Sequence, residues 1–121
     1  MYKRQDLTYL KLQQDHITDI SALAGLTELK HLDLWSNEIS ELSPLKGLSE
    51  LREVKLSENP IVDLSPLMGL ENLEAFSADK EGLADPGQYG ELADRVYGPQ
   101  ELVGPNGEIK LHWPSGRIED A

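Results

Sequence analysis

The stretch "LDLWSNEISELSPLKGLSE", residues 32–50, decides the fold because its apolar residues recur at fixed intervals. Stacked at an interval of 22 residues, the chain aligns with itself in three units, residues 7–28, 29–50 and 51–72. Unit positions 1, 4, 6, 11, 14, 17 and 20 hold Leu, Ile or Val in every unit, so the pattern is obeyed at all 21 sites. With 39% apolar residues overall, chance does not produce this agreement. Self-similarity at a period of this length predicts a solenoid of stacked coils.

The spacing within each unit predicts one strand and one bend per coil. The opening LxxLxL pattern is typical of a short strand whose leucines point into the stack, while the polar residues between them point outward. Asn37 and Asn59 follow three residues after the last strand leucine of their units. An asparagine at this position can bond backbone groups of its own and the adjacent coil, which the bend leaves unpaired.

The return segment of each unit carries the signals of a helical turn short enough to be 3₁₀. The expected N-caps are serines, the expected first helical residues are prolines, and glycines lie near the exit. These residues are Ser21, Ser43 and Ser65, then Pro44 and Pro66, then Gly25, Gly47 and Gly69. Asp19, Glu41 and Asp63 stand two residues before the serines and are predicted to help cap the turns. They make a poor calcium site, because carboxylates one coil apart lack companion ligands.

The consensus "LxxLxLxxNxIxDLSPLxGLxx" resembles the leucine-rich repeats of bacterial internalin-type proteins and of similar short-repeat eukaryotic relatives. The resemblance covers roughly residues 7–85, although Asp15 and Glu81 occupy the asparagine position in the first and fourth units. It implies an α/β solenoid, a right-handed superhelix with a parallel sheet on the concave face and 3₁₀ turns on the convex face. It also implies a binding role, because such proteins generally recognise other proteins.

The repeat fades after residue 85, so we divide the chain into a solenoid of about 3.5 units (1–85) and a C-terminal cap (86–121). Asp85 and Pro86 predict the start of a helix that ends at Gly98. Its apolar stripe, which is expected to cover the open end of the last coil, consists of Tyr89, Leu92, Ala93 and Val96.

A β-hairpin around a turn at residues 104–107 is predicted to follow the helix. Ile109, Leu111 and Trp113 alternate with polar residues, which makes one face of the hairpin apolar. We expect this face to dock on the cap, with partner binding or self-association as the alternative. The last eight residues are interpreted as a polar turn and tail.

The residues expected to project from the concave sheet form three columns, and neighbouring strands about 4.8 Å apart place the members of one column in contact. The columns are Tyr9, His31, Glu53, Ala75; Lys11, Asp33, Lys55, Ser77; and Gln13, Trp35, Ser57, Asp79. The middle column alternates in charge, which predicts cross-strand ion pairing.

Trp35 lies out of phase with the core leucines, and exposed tryptophan and tyrosine on a rigid sheet are typical of binding hot spots. The alternative is that Trp35 covers the sheet edge or is itself covered by the C-terminal segment. The predicted partner-binding residues are Tyr9, Lys11, His31, Asp33, Trp35, Glu53 and Lys55.

The composition argues against several classes of function. The formal net charge is −11, which makes nucleic acid a poor partner, and there is no cysteine for disulfides, thiolate zinc sites or nucleophiles. The histidines, His16, His31 and His112, stand at unrelated positions without a second ligand at metal-site spacing, and no phosphate-binding loop follows a strand. We therefore expect no enzymatic activity, no metal and no cofactor.

The predicted function is protein recognition through the concave face. Two alternatives remain, namely an acidic inhibitor or immunity-type protein that blocks a basic partner, and an assembly segment of a larger repeat array. The last would self-associate weakly through an N-terminal edge, Tyr2 to Leu12, which Lys3 and Arg4 guard. No signal peptide or 18-residue apolar stretch occurs in the chain, so no membrane association is expected. The expected compartment is cytoplasmic by default, or extracellular if a signal has been trimmed.

Overall fold

The computed structural model describes residues 7–121. Four short strands form a parallel sheet in the order β1-β2-β3-β4, and a 3₁₀ turn lies in each of the three segments that join them. The strands are β1 Tyr9–Lys11, β2 His31–Asp33, β3 Glu53–Lys55 and β4 Ala75–Ser77, and the 3₁₀ turns are Ser21–Gly25, Ser43–Leu45 and Ser65–Leu67. The predicted solenoid, with the sheet on its concave side and 3₁₀ turns on its convex side, is confirmed. The proposed N-terminal edge lies partly outside the described residues, and Lys3 and Arg4 lie wholly outside them.

The strands pair in a register of one repeat, so that each residue faces the residue 22 positions further on. Tyr9 pairs with His31 and Lys11 with Asp33, and the same offset holds between β2 and β3 and between β3 and β4. The first and third residues of the strands therefore form two of the three columns predicted from the sequence. We call the surface made by these residues, together with Trp35 just after β2, the concave face.

The apolar repeat positions form one continuous core, and burial increases away from the first coil. All seven positions of the second and third units are at most 3% exposed. In the first unit only Ile20 and Leu23 are buried, while Leu7, Leu10 and Leu12 are half-buried. The difference follows from stacking, because no coil precedes the first one among residues 7–121.

Two buried asparagines join the coils through their side-chain amides. The Asn59 Oδ1 accepts the backbone N–H groups of Asn37 and Ile39 at 3.1 Å each. Its Nδ2 donates to the carbonyl oxygens of Leu34 at 2.9 Å and Leu56 at 3.0 Å. Each amide thus satisfies groups of its own coil and of the preceding one, as predicted.

Asn37 repeats this arrangement one coil earlier. Its Oδ1 accepts the backbone N–H groups of Asp15 and Ile17, and its Nδ2 donates to the carbonyl oxygens of Leu12 and Leu34. The bend in front of the asparagines contains residues with positive φ, Ser36 at 59° and Glu58 at 62°. The two asparagines therefore stabilise a backbone that non-glycine residues adopt at a cost.

The serine N-caps predicted in the return segments are wrong. Each 3₁₀ turn begins at its serine, and the preceding residues Ile20, Leu42 and Leu64 make no side-chain cap. Pro44 and Pro66 consequently occupy the second position of their turns. In this geometry the free serine N–H points back to the side chain two residues earlier.

The acids at that earlier position cap the turns, which confirms the role predicted for them. The serine N–H donates to Asp19 Oδ1 at 2.9 Å, to Glu41 Oε1 at 3.1 Å and to Asp63 Oδ1 at 2.9 Å. The bond from the Ser21 N–H lowers the pKa of Asp19, with a further contribution from the Ser21 hydroxyl. The pKa of Asp63 is lowered by the Ser65 N–H, then by the Gln88 amide and the Ser65 hydroxyl.

Helix α1, Gly87–Tyr97, closes the C-terminal end of the solenoid in place of another coil. Leu92 and Ala93 are buried in the core, and Tyr89 and Val96 pack against it. The helix also bonds backbone groups that the last coil leaves free. The Gln88 Oε1 accepts the Leu64 N–H, and the Arg95 guanidinium donates to the Leu67 and Leu70 carbonyls. The Tyr97 hydroxyl accepts the Phe76 N–H and donates to the Phe76 carbonyl.

A separate antiparallel sheet follows, with strands β5 Gln100–Val103, β6 Ile109–His112 and β7 Ile118–Asp120 in the order β5-β6-β7. The predicted hairpin is present, but the polar tail expected after it contains β7. A second copy of the turn motif carries the signal for β7, because Pro-Asn-Gly-Glu-Ile at 105–109 recurs as Pro-Ser-Gly-Arg-Ile at 114–118. Both glycines have positive φ, 83° at Gly107 and 97° at Gly116.

The expected docking of the apolar hairpin face on the cap is only partly realised. The contact with α1 runs through the second turn, where the Ser115 N–H donates to Asp94 Oδ1 at 2.8 Å. Gly90 permits this approach, since a Cβ there would lie 3.0 Å from the Ser115 Cβ. Val103 remains 72% exposed and Ile109 44% exposed. Leu111 and Trp113 of the same face are half-buried, so the apolar face is covered at this end and exposed at the other.

We predict that Asn59→Ala lowers the free energy of unfolding by about 3 kcal/mol or more, because it leaves several buried backbone groups unpaired. Urea denaturation measures this change. Asn72→Ala is the matched control, because the exposed Asn72 amide makes one bond, to the Ser49 carbonyl. Its cost is expected to stay below about 1 kcal/mol. Equal costs for the two variants would contradict the role assigned to the buried amide.

We predict that the stability deficit of Asp63→Asn depends on pH. The pKa of Asp63 in the folded chain is below its ordinary value of 3.8. Ionised Asp63 therefore stabilises the fold above that value, and this contribution is lost as the pH falls through the lowered pKa. The deficit relative to the wild-type chain should be largest near neutral pH and should shrink in acid. Urea denaturation at a series of pH values tests this, and a deficit that is constant down to strong acid would contradict it.

Candidate protein-binding surface

All seven residues predicted to bind a partner lie on or beside strands β1 to β3. In the first column the Tyr9 side chain is 57% exposed, and its ring centroid lies 6.1 Å from that of His31 at an interplanar angle of 40°. The His31 Nδ1 lies 3.5 Å from the Glu53 Oε1. This column therefore presents an aromatic pair whose imidazole is adjacent to a carboxylate.

The ion pairing predicted for the middle column is wrong. Asp33 is only 7% exposed, and its carboxylate accepts the Gln13 Nε2–H at 2.7 Å and the backbone N–H of Trp35 at 3.1 Å. Among residues 7–121, neither Lys11 nor Lys55 lies within 4.0 Å of a carboxylate. Hydrogen bonds to nearby amides stabilise a buried carboxylate more than an ion pair with an exposed, mobile ammonium group does. Asp33 therefore bonds to the chain segment after β2 and not to the lysines.

Trp35 is half-buried at the second position after β2. Its N–H is held by Asp33, and its carbonyl accepts the Gln14 N–H at 3.1 Å, so its backbone is tied on both sides. In the described part of the chain the Trp35 ring forms no pair with another aromatic ring, whereas Tyr9 and His31 form one. The structure thus brings Tyr9 and His31 together and places Trp35 on the other side of the lysine column.

A shallow depression at the far end of the concave face was not predicted from the sequence. Residues of β3 and β4 enclose a volume of about 100 Å³, sufficient for one side chain of a ligand. The small residues Ala75 and Ser77 create it beside the longer Glu53 and Lys55. The columns of the sequence do contain a signal for this depression, because a small residue next to a long one in a column predicts a step in the surface.

A larger cleft, of about 380 Å³, lies between the end of α1 and the C-terminal sheet. Tyr97, His112 and Trp113 contribute its aromatic lining. Trp113 is fixed by the Arg117 guanidinium 4.4 Å above its ring, and its buried Nε1–H has no hydrogen-bond partner among the described residues. The cleft depends on how two separate elements meet, which strand and helix patterns do not reveal.

The described residues contain no group of three or more His, Asp or Glu side chains that could hold a metal ion. The histidines remain dispersed, with His16 beside Glu38, His31 beside Glu53 and His112 in the cleft. Within residues 7–121, no helix is long and apolar enough to cross a lipid bilayer.

The family model for leucine-rich repeats, in two copies, matches residues 5–47 of the chain. Among solved structures, internalin C2 of Listeria monocytogenes is 38% identical over 72% of this chain, with a TM-score of 0.65. An internalin F of Listeria monocytogenes is 28% identical over 74%, with a TM-score of 0.57. A leucine-rich repeat protein of Leptospira interrogans is 30% identical over 74%, with a TM-score of 0.64.

The chain spans only part of these neighbours, covering 38%, 33% and 24% of their respective lengths. No curated protein sequence matches it.

We predict that Asp33→Ala lowers the free energy of unfolding by about 1–3 kcal/mol, because the Gln13 amide and the Trp35 N–H lose their acceptor. Lys55→Ala should change it by less than about 0.5 kcal/mol, as expected for an exposed side chain that has no ion-pair partner in the described part of the chain. Thermal and urea denaturation of both single variants and the double variant measure the coupling. A coupling energy well above about 0.5 kcal/mol would restore the ion pair that the structure rejects.

Proposed function

Because this chain is a leucine-rich repeat protein whose repeats are of the internalin type, we propose that it is a non-enzymatic recognition module that binds a protein partner on its concave face. The observation that supports this most directly is the exposed Tyr9 ring beside His31 on a sheet whose register is held by buried amides. Aromatic side chains on rigid elements contribute large contact areas at little entropic cost. We assign recognition to residues 1–85 and the capping role to residues 86–121.

Trp35 belongs to this proposal because its backbone is fixed and its side chain is partly accessible. A partner that covers Tyr9 and Trp35 would also cover the lysine column between them. Removal of a large aromatic side chain from the centre of an interface commonly weakens binding by more than about tenfold.

The size of the concave face limits the affinity that it can supply alone. Four strands span about 15 Å across the sheet, and each strand is only three residues long, so the area of the face is smaller than the roughly 800 Å² per partner of a standard interface. A firm complex therefore needs further contacts from the bends after Asn37 and Asn59 or from the C-terminal segment. Binding through the sheet alone should be modest.

The rival function is an acidic inhibitor of a basic partner, and the net charge of −11 favours it. The two functions differ in their response to salt. Charge attraction between exposed surfaces weakens steeply as salt is added, whereas an interface centred on aromatic residues is less sensitive.

We predict that affinity capture from a lysate of the source cells retains a protein on the wild-type chain and that Tyr9→Ala/Trp35→Ala weakens its binding by about tenfold or more. Val103→Ala/Ile118→Ala is the matched control, because it removes two exposed apolar side chains from the C-terminal sheet. Circular dichroism verifies that the variants are folded, and titration of the captured protein in low and high salt measures affinity.

Unchanged binding by the first variant would contradict the proposal. Release of the captured protein by moderate salt would then favour the acidic inhibitor. Loss of binding only in the control variant would transfer recognition to the C-terminal sheet.

A further inference from the structure

We propose that the concave face recognises an acidic segment of its partner, in which two carboxylates meet Lys11 and Lys55. This inference rests on the function proposed above and specifies the chemistry of the partner. It runs against the overall charge of the chain, which carries 22 acids and 11 lysines and arginines. The charged groups of this face that are not engaged within the chain determine its local preference for a ligand.

Two of the three carboxylates on or beside the concave face are engaged within the chain. Asp33 is buried and accepts two hydrogen bonds, from Gln13 and from the Trp35 backbone. Asp79 accepts the Glu58 N–H at 2.8 Å. The half-exposed Glu53 lies 3.5 Å from the His31 Nδ1, a contact that becomes an ion pair only when the imidazole is protonated. Asp33 and Asp79 therefore offer little free hydrogen-bonding capacity to a ligand, whereas Glu53 stays accessible.

The two lysines of the same face are in the opposite state. Lys11 and Lys55 are exposed, and neither has a carboxylate within 4.0 Å among the described residues. Of the other described cations, Lys30 and Lys46 also have no carboxylate within 4.0 Å, but they belong to neither concave column. The remaining five are engaged in ion pairs, in bonds to carbonyl groups or against an aromatic ring; these are Arg52, Lys110, Arg117, Arg95 and Lys80. Apart from Glu53, the free polar capacity of the concave face is therefore that of hydrogen-bond donors.

The spacing of the lysines defines the segment that fits them. They flank Asp33 in one column, so their backbones are two strand spacings apart, or about 10 Å. In a polyproline II segment, residues i and i+3 lie on the same side about 9 Å apart, because this helix has three residues per turn and rises about 3.1 Å per residue. A segment in this conformation with acids three residues apart, laid along the lysine column, matches both ammonium groups.

The depression between β3 and β4 adds a specific position for a residue next to one of these acids. Glu53 and Lys55 both line it, and the small side chains of Ala75 and Ser77 leave room for about one side chain. An uncharged side chain fits there, since the Glu53 carboxylate would repel a second carboxylate. Tyr9 lies on the strand of Lys11 and offers an apolar surface for a residue next to the other acid.

The net negative charge does not prevent this contact. At physiological ionic strength charges more than about 8 Å apart are largely screened, whereas directly contacting groups are not. The acids of the convex side therefore act weakly on a bound segment, and its direct contact with Lys11 and Lys55 determines the energy. The rest of the surface disfavours acidic partners that lack the correct spacing.

The test uses a random peptide library displayed on phage and four immobilised forms of the full chain. These are the wild type, Tyr9→Ala/Trp35→Ala, Lys11→Glu/Lys55→Glu and the control Lys30→Glu/Lys46→Glu. The control changes the net charge equally, and its two lysines belong to neither concave column. Circular dichroism establishes that each form is folded.

We expect peptides selected on the wild type to be enriched in Asp and Glu three residues apart. They should bind Lys11→Glu/Lys55→Glu at least about tenfold more weakly and the control with little change. Selection on Lys11→Glu/Lys55→Glu should instead enrich Lys and Arg. This reversal of charge preference is the result that the proposal requires.

Two outcomes separate this inference from the function on which it rests. Peptides that need Tyr9 and Trp35 but show no acidic preference would overturn the inference and leave concave-face recognition standing. Peptides that bind all four forms equally would overturn both. Equal weakening by the control variant would show a general charge effect and would also overturn the inference.

Discussion

The side-chain amides of Asn37 and Asn59 are the interaction on which the rest of the structure depends. A coil that reverses direction within 22 residues turns several backbone N–H and carbonyl groups into its own interior, where water does not reach them. Each amide both donates and accepts across two coils, so it satisfies these groups and aligns the coils at once. The one-repeat register of the sheet follows, and with it the columns in which Tyr9 meets His31 and Lys11 flanks Asp33. The candidate site is thus a consequence of how the bends are satisfied.

The need to pair buried backbone groups also explains which side chains helix α1 carries at the C-terminal end of the solenoid. Without a cap the last coil would have exposed leucines and unpaired backbone groups, and a cap that covered only the leucines would leave the polar groups buried without partners. Helix α1 meets both needs, with Leu92 in the core and with Gln88, Arg95 and Tyr97 bonded to the backbone of the last coil. The side chains of one helix therefore replace the polar and apolar contacts that a further repeat would provide.

The 22-residue period of the sequence predicts the structural features that recur from coil to coil. The strands, the core positions, the asparagine bonds and the acid caps at Asp19, Glu41 and Asp63 are all predicted correctly, because identical residues in successive coils face identical constraints. The serine caps are wrong because a 3₁₀ turn begins one residue earlier than its spacing suggests. Strand β7 escapes prediction because its motif recurs only once, at an interval of nine residues. The depression beside Ala75 and the cleft near Trp113 arise from differences between neighbours, which no repeat pattern contains.

Asp33 shows how one departure from the repeat changes the chemistry of the surface around it. Alternating charges along a column suggest mutual neutralisation, yet burial favours a carboxylate that hydrogen-bonds to nearby amides over one that pairs with mobile ammonium groups. Because Asp33 turns to Gln13 and to the Trp35 backbone, the lysines on both sides keep their donors and the chain bearing Trp35 is held in place. One buried side chain thereby orients the aromatic residue and leaves Lys11 and Lys55 without an ion-pair partner among residues 7–121. The repeat supplies a rigid sheet, and the residues that differ between coils supply the selectivity.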